Sequence, residues 1–368
     1  MSHASAQPRL IVLVPEEGGG ISRLFQQLQR GGGQDDRSRL EIDFFLSHDK
    51  RRGALLRFPG RLGRFLTRLV LRRPAACHIN LASRGSTLRK AIFAWLCRRA
   101  SVPYVLHLHG GGYRDFFCNL PAPLRSIVRA FFRRAARVIV LGQVWRDFVV
   151  EVIGVDPARV VILPNAVHGP DAVPNRDAPG RVPQILFLGR LGPGKGIPEL
   201  VEALARDDMR SLSWRAVLAG DGQVAETQAA VAAAGLDDRV EVPGWVGPEA
   251  VEALLAASDI LALPSHVENL PLSMLEGMGY GLCPVVTPVG AVPDVIRDGE
   301  NGLLVPVDDA AALASALARL VSDTELRDRL AVQARADFEV SYDIRHYRGK
   351  LEAIYLDVLG EAGQRSAR

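Results

Sequence analysis

Short apolar runs alternate with longer segments of helical periodicity along most of the 368-residue chain. In the first part of the chain such runs predict six β-strands, at residues 9–14, 41–46, 77–82, 104–109, 137–142 and 159–164. The runs are apolar at nearly every position, which is typical of parallel strands covered on both faces. Helical spacing separates most of them, for example at residues 86–100. We therefore expect an α/β unit built on a parallel sheet.

The same alternation restarts after residues 169–184, a segment rich in Pro, Gly and Asp that shows no periodicity. Further strands are predicted at 185–190, 214–220, 239–244, 259–264 and 283–288, with helices at 197–206, 225–235 and 248–258. The sequence thus predicts two doubly wound parallel-sheet domains, 1–172 and 185–341, joined by a linker at 173–184. A helical pattern at 342–360 follows and is expected to lean back on the first domain.

Composition narrows the class of protein. Hydrophobic residues make up 48% of the chain and charged residues 23%, as in globular soluble proteins. No apolar stretch approaches the ~20 residues that span a bilayer, and "RLIVLVP" near the start has the pattern of a strand rather than of a signal peptide. The four cysteines form no CxxC pair and no metal-ligand cluster, which indicates a reducing cytosol.

Charge divides the chain into a basic and an acidic part. Residues 1–172 carry 27 Lys and Arg against 12 Asp and Glu, whereas residues 173–368 carry 18 against 29. The basic part is expected to meet an anionic partner such as a membrane surface or a phosphorylated lipid. Nucleic acid is not expected, because aromatic residues are few and no recognition motif appears.

A basic amphipathic helix is predicted within this part, at residues 60–74. One of its faces is apolar, with most of the arginines elsewhere: Leu62, Phe65, Leu66, Leu69 and Val70. Such a helix can lie on an anionic membrane. The alternative is an ordinary domain helix whose apolar face lies in the core.

Two glycine-rich loops each follow the first strand of a domain. In "PEEGGGISRL", Gly19 and Gly20 allow the backbone to approach a ligand, and the next helix would offer free N–H groups to an anion. In "FLGRLGPGKGIPEL", Arg190 and Lys195 suit a diphosphate. Neither loop is a nicotinamide or Walker A fingerprint, since GxGxxG is missing and Gly196 follows the lysine. The alternatives are a flexible turn and two solvated cations.

Two carboxylates flank the apolar segment in "SHVENLPLSMLE". Pro271 can begin a helix, which would place Glu268 in the preceding loop and Glu276 inside the helix. Both could accept hydrogen bonds from sugar hydroxyls. The alternatives are a helix-dipole partner for Glu268 and a surface helix position for Glu276.

Two histidines, His107 and His109, lie on the same side of the strand at 104–109. His109 ends the strand beside three glycines, at the edge where ligands bind in open α/β sheets. An imidazole there could donate a hydrogen bond or shuttle a proton. The alternative, a satisfied core histidine, suits His107 better.

Together these motifs resemble those of glycosyltransferase family 4, retaining enzymes of the GT-B fold. The resemblance is strongest between residues 185 and 306, in "GRLGPGKG", "AGDG", "LPSHVENLPLSMLEGMGYGLCPVV" and "VGAVPDVIRDGENGLLVPV". It implies two Rossmann-like domains facing a cleft, with the C-terminal helix crossing back. It departs from the family pattern at Asn269, where Gly is frequent, and at Asp294, where Glu is usual.

The resemblance also implies roles for individual residues. Glu268 and Glu276 match the ends of the family's E-x7-E motif, so Glu268 would lie near the donor sugar and diphosphate and Glu276 would hold the ribose. Arg190 and Lys195 would bind the diphosphate, and His109 would approach the transferred sugar. The remaining donor-binding positions are Gly19, Gly20, Asn269 and Leu270. No metal or other cofactor is expected, and no Asp-x-Asp motif occurs.

The function implied is retaining transfer of a hexose from a UDP- or GDP-linked sugar to a sugar acceptor. That acceptor would be carried on a polyprenyl diphosphate, in the synthesis of a cell-surface glycan. The enzyme would be cytoplasmic and peripheral at the inner face of the plasma membrane. Two alternatives remain: a nucleotide-sugar epimerase of the same fold and a non-catalytic nucleotide-sugar-binding subunit.

Overall fold

The computed structural model describes residues 7–15, 24–25, 28, 40–48, 54–82, 85–176 and 181–366. Gly19 and Gly20, which the sequence assigns to donor binding, lie outside the described residues. The chain forms two compact units. Unit 1 comprises Met1–Asn165 together with Ile344–Arg368, and unit 2 comprises Ala166–Asp343.

Unit 1 contains a six-stranded parallel sheet in the order β2-β1-β3-β4-β5-β6. Its strands are β1 (Arg9–Pro15), β2 (Glu41–His48), β3 (Ala76–Leu81), β4 (Tyr104–Leu108), β5 (Arg137–Val140) and β6 (Val160–Ile162). Its helices before residue 165 are α1 (Ala54–Arg72), α2 (Gly85–Arg99), α3 (Tyr113–Cys118), α4 (Ala122–Arg133) and α5 (Gln143–Asp147), which continues as a π-helical turn, Phe148–Ile153. The central strands β3, β4 and β5 are buried along their whole length, as their apolar runs predict.

Unit 2 repeats this architecture, with a parallel sheet in the order β12-β11-β10-β7-β8-β9. Its strands are β7 (Gln184–Leu188), β8 (Arg215–Ala219), β9 (Val240–Gly244), β10 (Ile260–Leu263), β11 (Cys283–Val286) and β12 (Leu303–Leu304). Its helices are α6 (Ile197–Ala205), α7 (Asp207–Arg210), α8 (Val224–Ala233), α9 (Pro248–Ala257), α10 (Leu272–Gly279), α11 (Ala310–Ser322) and α12 (Thr324–Ser341). The expected pair of doubly wound parallel sheets is confirmed.

The last helix, α13 (Ile344–Ser366), belongs to unit 1 and packs against β3. Its buried face includes Tyr347, Leu351, Tyr355 and Val358. The guanidinium of Arg137, at the start of β5, donates to Asp357 Oδ2 at 2.6 Å and to Glu361 Oε1 at 2.5 Å. The chain therefore returns to unit 1 after unit 2, which confirms that the C-terminal helix crosses back.

Residues 169–176 are held by unit 2, although the sequence shows no periodicity there. Arg176 donates to main-chain carbonyls of α9 and of the turn after α10, including Leu255 O at 3.2 Å and Tyr280 O at 2.7 Å. Arg335 on α12 donates to Pro170 O at 2.8 Å. The described part of the predicted linker is therefore fastened to unit 2 by charge-assisted hydrogen bonds.

The apolar face predicted on residues 60–74 divides in two. Phe65 and Leu69 of α1 are buried in the core of unit 1, whereas Leu66 and Val70 are 44% and 59% exposed. Arg68 and Arg72 each form an ion pair with Asp43 of β2 at 3.0 Å. The helix is thus both a core element and an exposed apolar surface. Among the described residues, no helix combines the length and hydropathy needed to cross a bilayer.

Candidate functional site

In unit 2, the order in which strands join the sheet reverses between β7 and β10. β7 lies between β8 and β10, so the loops that follow β7 and β10 leave opposite sides of this point. In open parallel sheets, ligands bind at the carboxyl ends of the strands where the order reverses. The loop after β7 carries Arg190 and Lys195, and the loop after β10 carries Glu268.

Lys195 and Glu268 form an ion pair between these two loops. The hydroxyl of Ser265 donates to the same carboxylate oxygen, Oε1, at 3.1 Å. The side chain of Glu268 is only 14% exposed and that of Lys195 31%, so the pair is largely shielded from water. Lys195 is therefore not a solvated loop cation, because a partly buried carboxylate holds its ammonium group in place.

The loop after β7 depends on a glycine at position 196. Gly196 has φ +70°, in the left-handed region, and a Cβ there would lie 2.0 Å from the carbonyl oxygen of Pro264. The N–H of His266 donates to Gly194 O at 3.2 Å, immediately before Lys195. Only a residue without a side chain lets these two loops touch through their backbones.

Arg190 is held more loosely than Lys195. Its side chain is 73% exposed, and Nη2 lies 3.4 Å from Asp221 Oδ2 in the turn after β8. The backbone next to Arg190 is fixed more firmly than its side chain, since Leu191 N donates to Asp221 O at 2.6 Å. The alternative of a solvated cation thus describes Arg190 better than Lys195.

The two carboxylates of "SHVENLPLSMLE" occupy different environments. Glu268 lies in the loop before α10, and Glu276 lies inside α10 with only 3% of its surface exposed. Pro271 is the N-cap of α10. Burial rules out the alternative of a surface helix position for Glu276, because a buried carboxylate needs specific partners.

The residues between these carboxylates are packed as tightly as a core. Asn269 and Leu270 are 6% and 3% exposed, and Asn269 O accepts from Ala291 N at 2.7 Å. Gly290 has φ +59°, and a Cβ there would lie 2.4 Å from Glu268 O. The segment after β11 therefore supports the loop that carries Glu268.

One group of side chains beside this site could not be recognised from the sequence motifs. His266 Nε2 lies 3.3 Å from Glu199 Oε1 in the first turn of α6 and 3.1 Å from Asp308 Oδ1 after β12. Among the described residues this is the one group of three His, Cys, Asp or Glu side chains that could hold a metal ion. The three residues lie far apart in the sequence, so only the fold brings them together.

In unit 1, His109 follows β4 and its N–H donates to Leu81 O of β3 at 2.8 Å. Its ring lies 3.9 Å from the ring of His107, so the two share one side of the strand as the alternation predicts. Burial, followed by the nearby His78 and Lys90, lowers the pKa of His109 well below its usual value. His109 is therefore a neutral imidazole at neutral pH.

His107 is the more deeply buried of the two, with no exposed surface. Neither of its ring nitrogens has a hydrogen-bond partner among the described residues. Burial is the main cause that lowers its pKa well below the usual value. His107 is a core histidine, as the sequence suggests, but it is not a satisfied one.

Unit 2 thus brings Arg190, Lys195 and Glu268 to one edge of its sheet, with Glu276 in the helix behind them. Unit 1 places His109 at the corresponding edge of its own sheet. Such an arrangement can neutralise a diphosphate with cations and bind hydroxyl groups with carboxylates. Two doubly wound parallel sheets, each with polar residues at the carboxyl ends of its strands, define the GT-B class of enzymes.

Comparison with known proteins gives the family. Residues 11–166 match the family described as "Glycosyl transferase 4-like domain" and residues 172–337 match "Glycosyl transferases group 1". Between them the two matches cover most of each unit but not α13. The chain therefore belongs to the glycosyltransferases of these families, and it is a glycosyltransferase.

Individual relatives are similar over most of the chain. The alpha-D-kanosaminyltransferase of Streptomyces kanamyceticus is 28% identical over 78% of this chain and 79% of its own length. The GDP-mannose:cellobiosyl-diphosphopolyprenol alpha-mannosyltransferase of Xanthomonas campestris is 26% identical over 70% and 68%. HepE of Anabaena, solved in complex with UDP-glucose, superposes with a TM-score of 0.73 at 18% identity, over 95% of this chain and 99% of that one. This structural likeness shows the fold.

Proposed function

We propose that the enzyme transfers a hexose from a UDP- or GDP-linked sugar to a sugar acceptor carried on a polyprenyl diphosphate, with retention of anomeric configuration. The observation that carries this proposal is the Lys195–Glu268 pair at the point of unit 2 where the strand order reverses. The names of the relatives support the substrate classes. The Xanthomonas enzyme is named for a GDP-mannose donor and a diphosphopolyprenol acceptor, and HepE was solved with UDP-glucose.

The leaving group sets the chemistry that the site must perform. Breaking the bond between the hexose and the nucleotide places negative charge on the diphosphate. Lys195, which Glu268 holds in place, would stabilise this charge, and the exposed Arg190 would join it on the bound diphosphate. Positive groups placed where charge develops are usually the largest contribution to catalysis. We propose that these two cations serve in place of a metal ion.

The ion pair gives Lys195 and Glu268 a joint role. Glu268 neutralises the ammonium of Lys195. A bound diphosphate would share that ammonium, so Glu268 would be released to accept hydrogen bonds from the donor sugar. Glu276, buried in α10, would accept from the ribose hydroxyls. Asn269 and Leu270 would line the same pocket.

Retention is proposed without a protein nucleophile, since no residue of the donor site can be assigned that role. The bond from the hexose to the diphosphate would break to give a short-lived oxocarbenium-like species. The acceptor hydroxyl would attack on the face that the diphosphate leaves, and its proton would pass to the departing diphosphate oxygen. His109, a neutral imidazole, would approach the transferred sugar from unit 1. The epimerase and binding-subunit alternatives are not favoured, because both relatives described by activity are transferases.

A nucleotide-release assay tests the proposal. The protein is incubated with a panel of UDP- and GDP-sugars, with and without a sugar linked to polyprenyl diphosphate, and free nucleotide is measured. Release that requires the acceptor is expected, together with an α-linked product from an α-linked donor. Interconversion of the donor without acceptor would instead indicate an epimerase, and absence of any turnover would contradict the transferase.

We further propose that unit 1 docks on an anionic membrane through α1 and α2, which pack together. The exposed large apolar residues of these helices are Leu56, Leu66, Val70, Leu71, Leu88, Ile92 and Trp95. Residues 50–114 contain no Asp or Glu and 15 Lys and Arg. Apolar side chains set among cations suit a lipid interface with negative headgroups. Three of the free cysteines, Cys77, Cys97 and Cys283, are buried thiols, which agrees with a cytoplasmic location.

Co-sedimentation with vesicles tests the membrane proposal, and two tryptophans provide a matched pair. Trp95 lies on α2 with 56% exposure, whereas Trp245 lies in unit 2 with 73% exposure. Binding to vesicles with anionic lipid is expected to fall for Trp95→Ser, to weaken with added salt, and to be unchanged for Trp245→Ser. Equal binding to neutral vesicles at every salt concentration would contradict the electrostatic part of the proposal.

A further inference from the structure

A buried chain of hydrogen bonds connects the last helix to His109. The hydroxyl of Tyr355 on α13 lies 2.9 Å from Nδ1 of His78. His78 Nε2 lies 3.2 Å from Oδ1 of Asn80, and the same oxygen lies 2.9 Å from Nε2 of His109. Tyr355, His78 and Asn80 are at most 1% exposed, and all four residues belong to unit 1.

The orientation of the Asn80 amide determines which atoms carry hydrogen. Asn80 Nδ2 donates to Leu13 O of β1 at 3.0 Å, so Oδ1 is the atom that faces the two imidazoles. An amide oxygen only accepts hydrogen bonds. Nε2 of both His78 and His109 must therefore carry a hydrogen. His78 Nδ1 then accepts from the hydroxyl of Tyr355, and Nδ1 of neutral His109 carries none.

The surroundings keep His109 neutral. The amine of Lys90, 2% exposed, donates to the main-chain oxygen of Asn80. The ring of His107 lies against that of His109, and His78 shares its hydrogen-bond acceptor. Positive or potentially positive groups thus face His109 from α2, β3 and β4, and no carboxylate bonds to these histidines among the described residues. A second proton on His109 is unfavourable there.

We infer that Asn80 is a positioning residue, which holds His109 in the tautomer protonated at Nε2 and so makes Nδ1 an acceptor for a sugar hydroxyl. The contact between His109 and the sugar rests on the proposed function, whereas the tautomer does not. Tyr355 of α13 supports this arrangement indirectly, because its hydroxyl fixes the tautomer of His78, which donates to Asn80. Without that bond, His78 could move its hydrogen to Nδ1 and cease to donate to Asn80.

The pH profile of Asn80→Asp tests the inference. A carboxylate still accepts from both Nε2 atoms, but it raises the pKa of the imidazoles beside it. Protonation then places hydrogen on Nδ1 of His109 and removes the acceptor. We expect kcat of the variant to fall at least tenfold between about pH 8 and pH 6, while wild-type kcat changes less than twofold. A flat profile in a folded variant would overturn the inference.

Asn301→Asp is the matched control for this substitution. Asn301 of unit 2 is also fully buried and donates to a main-chain carbonyl, that of Val295, at 2.9 Å. Asn301 Nδ2 also donates to Asp337 Oδ2 at 2.7 Å, so the variant sets two carboxylates against each other in unit 2 and is expected to lose stability at neutral pH. Its kcat, measured per folded protein, should still show the wild-type pH profile, since the environment of His109 is unchanged. Tyr355→Phe should lower kcat more than it changes KM for the donor. If folded Asn301→Asp gains the pH dependence of Asn80→Asp, the effect is not specific to Asn80 and the inference is overturned.

Nitrogen-15 NMR of the imidazoles reads the tautomer without any substrate. Signals are assigned with His109→Gln, and the nitrogen shift distinguishes a ring nitrogen with hydrogen from one without. The inference predicts hydrogen on Nε2 and none on Nδ1 of His109 in the wild-type protein. The opposite tautomer would overturn it even if the enzyme transfers sugar as proposed. The predicted tautomer in a protein that transfers no sugar would instead contradict the proposed function alone.

Discussion

At the scale of single residues, Gly196 is a position where the backbone of unit 2 is tightly constrained beside the donor site. Its left-handed φ would cost a side chain about 1–2 kcal/mol by itself. The additional clash with Pro264 O, at 2.0 Å, has no flexible atom that can move away. The two effects can be separated, because Gly235 has a similar φ of +67° with no atom within 4 Å of its Cβ position.

We expect Gly235→Ala to lower the free energy of unfolding of unit 2 by about 1 kcal/mol. Gly196→Ala should lower it by at least about 2 kcal/mol more, the usual scale for forcing atoms into occupied space. Hydrogen exchange of the amides of unit 2 measures both values. Equal losses for the two variants would contradict the contact between the loop after β7 and Pro264.

The cations of the donor site are expected to act on the transition state. Replacing Arg190 or Lys195 with Ala should lower turnover by about a hundredfold or more, the scale observed when one stabilising donor is removed. Arg206→Ala is the control, since Arg206 forms an ordinary exposed pair with Glu202 at 3.8 Å. Initial rates at saturating donor measure the turnover of each variant. Near-normal turnover of Arg190→Ala would exclude that arginine from catalysis.

At the scale of elements, most strands could be predicted because they are apolar at almost every position. The strand predicted at 104–109 corresponds to β4 (Tyr104–Leu108), and the strand predicted at 259–264 corresponds to β10 (Ile260–Leu263). β12 could not be found, because two residues carry no periodicity. The helices α11 and α12 were also not predicted, although Asp309 and Asp323 cap their N-termini through side-chain hydrogen bonds.

Site residues were predictable where a motif lies in one loop and were missed where the fold assembles them. Arg190, Lys195 and Glu268 stand out in the sequence because glycines and proline surround them. Asn80 offered a weaker signal, as a polar residue two positions from His78 in an otherwise apolar strand. Its partner Tyr355 lies 277 residues from His78, so no local pattern could connect them.

The junction between β5 and α13 is a testable feature at this scale. Arg137→Gln removes the bonds to Asp357 and Glu361, which should lower the free energy of opening of α13 by about 1–2 kcal/mol. The carboxylates are half exposed, so the loss stays below that of a fully buried pair. Hydrogen exchange over residues 344–366 measures it. Arg9→Gln, which breaks an exposed pair with Glu41, serves as the control that leaves α13 unchanged.

At the scale of the molecule, the two units differ in how they should respond to acid. Burial lowers the pKa of His78 to about 4 and lowers those of His107 and His109 well below their usual value. All three stay neutral in folded unit 1, but in the unfolded chain they take up protons below about pH 6.5. Stability is therefore lost as the pH falls from about 6.5 towards 4, by up to about 4 kcal/mol per pH unit.

We expect urea unfolding at about pH 7, 6 and 5 to show that the stability of unit 1 falls with pH, and that it does so at a higher pH than the stability of unit 2. His107→Phe should reduce the slope by about a third, since the ring nitrogens of His107 have no hydrogen-bond partner in the part of the chain that the structure describes. Residue-resolved hydrogen exchange assigns the loss to a unit. A slope that is unchanged in His107→Phe would show that other groups cause the acid sensitivity.

The return of α13 to unit 1 has a consequence for biosynthesis. Unit 2 is one continuous segment, whereas unit 1 lacks α13 until residues 344–366 are made. Domains fold as they leave the ribosome, usually from the N-terminus onward. In this chain unit 2 can complete its folding first, because β3 and Arg137 of unit 1 have no α13 to contact until it is synthesised. A chain released early at residue 343 would therefore contain a finished unit 2 and an unfinished unit 1, in which His78 lacks the hydroxyl of Tyr355 and Arg137 lacks Asp357 and Glu361.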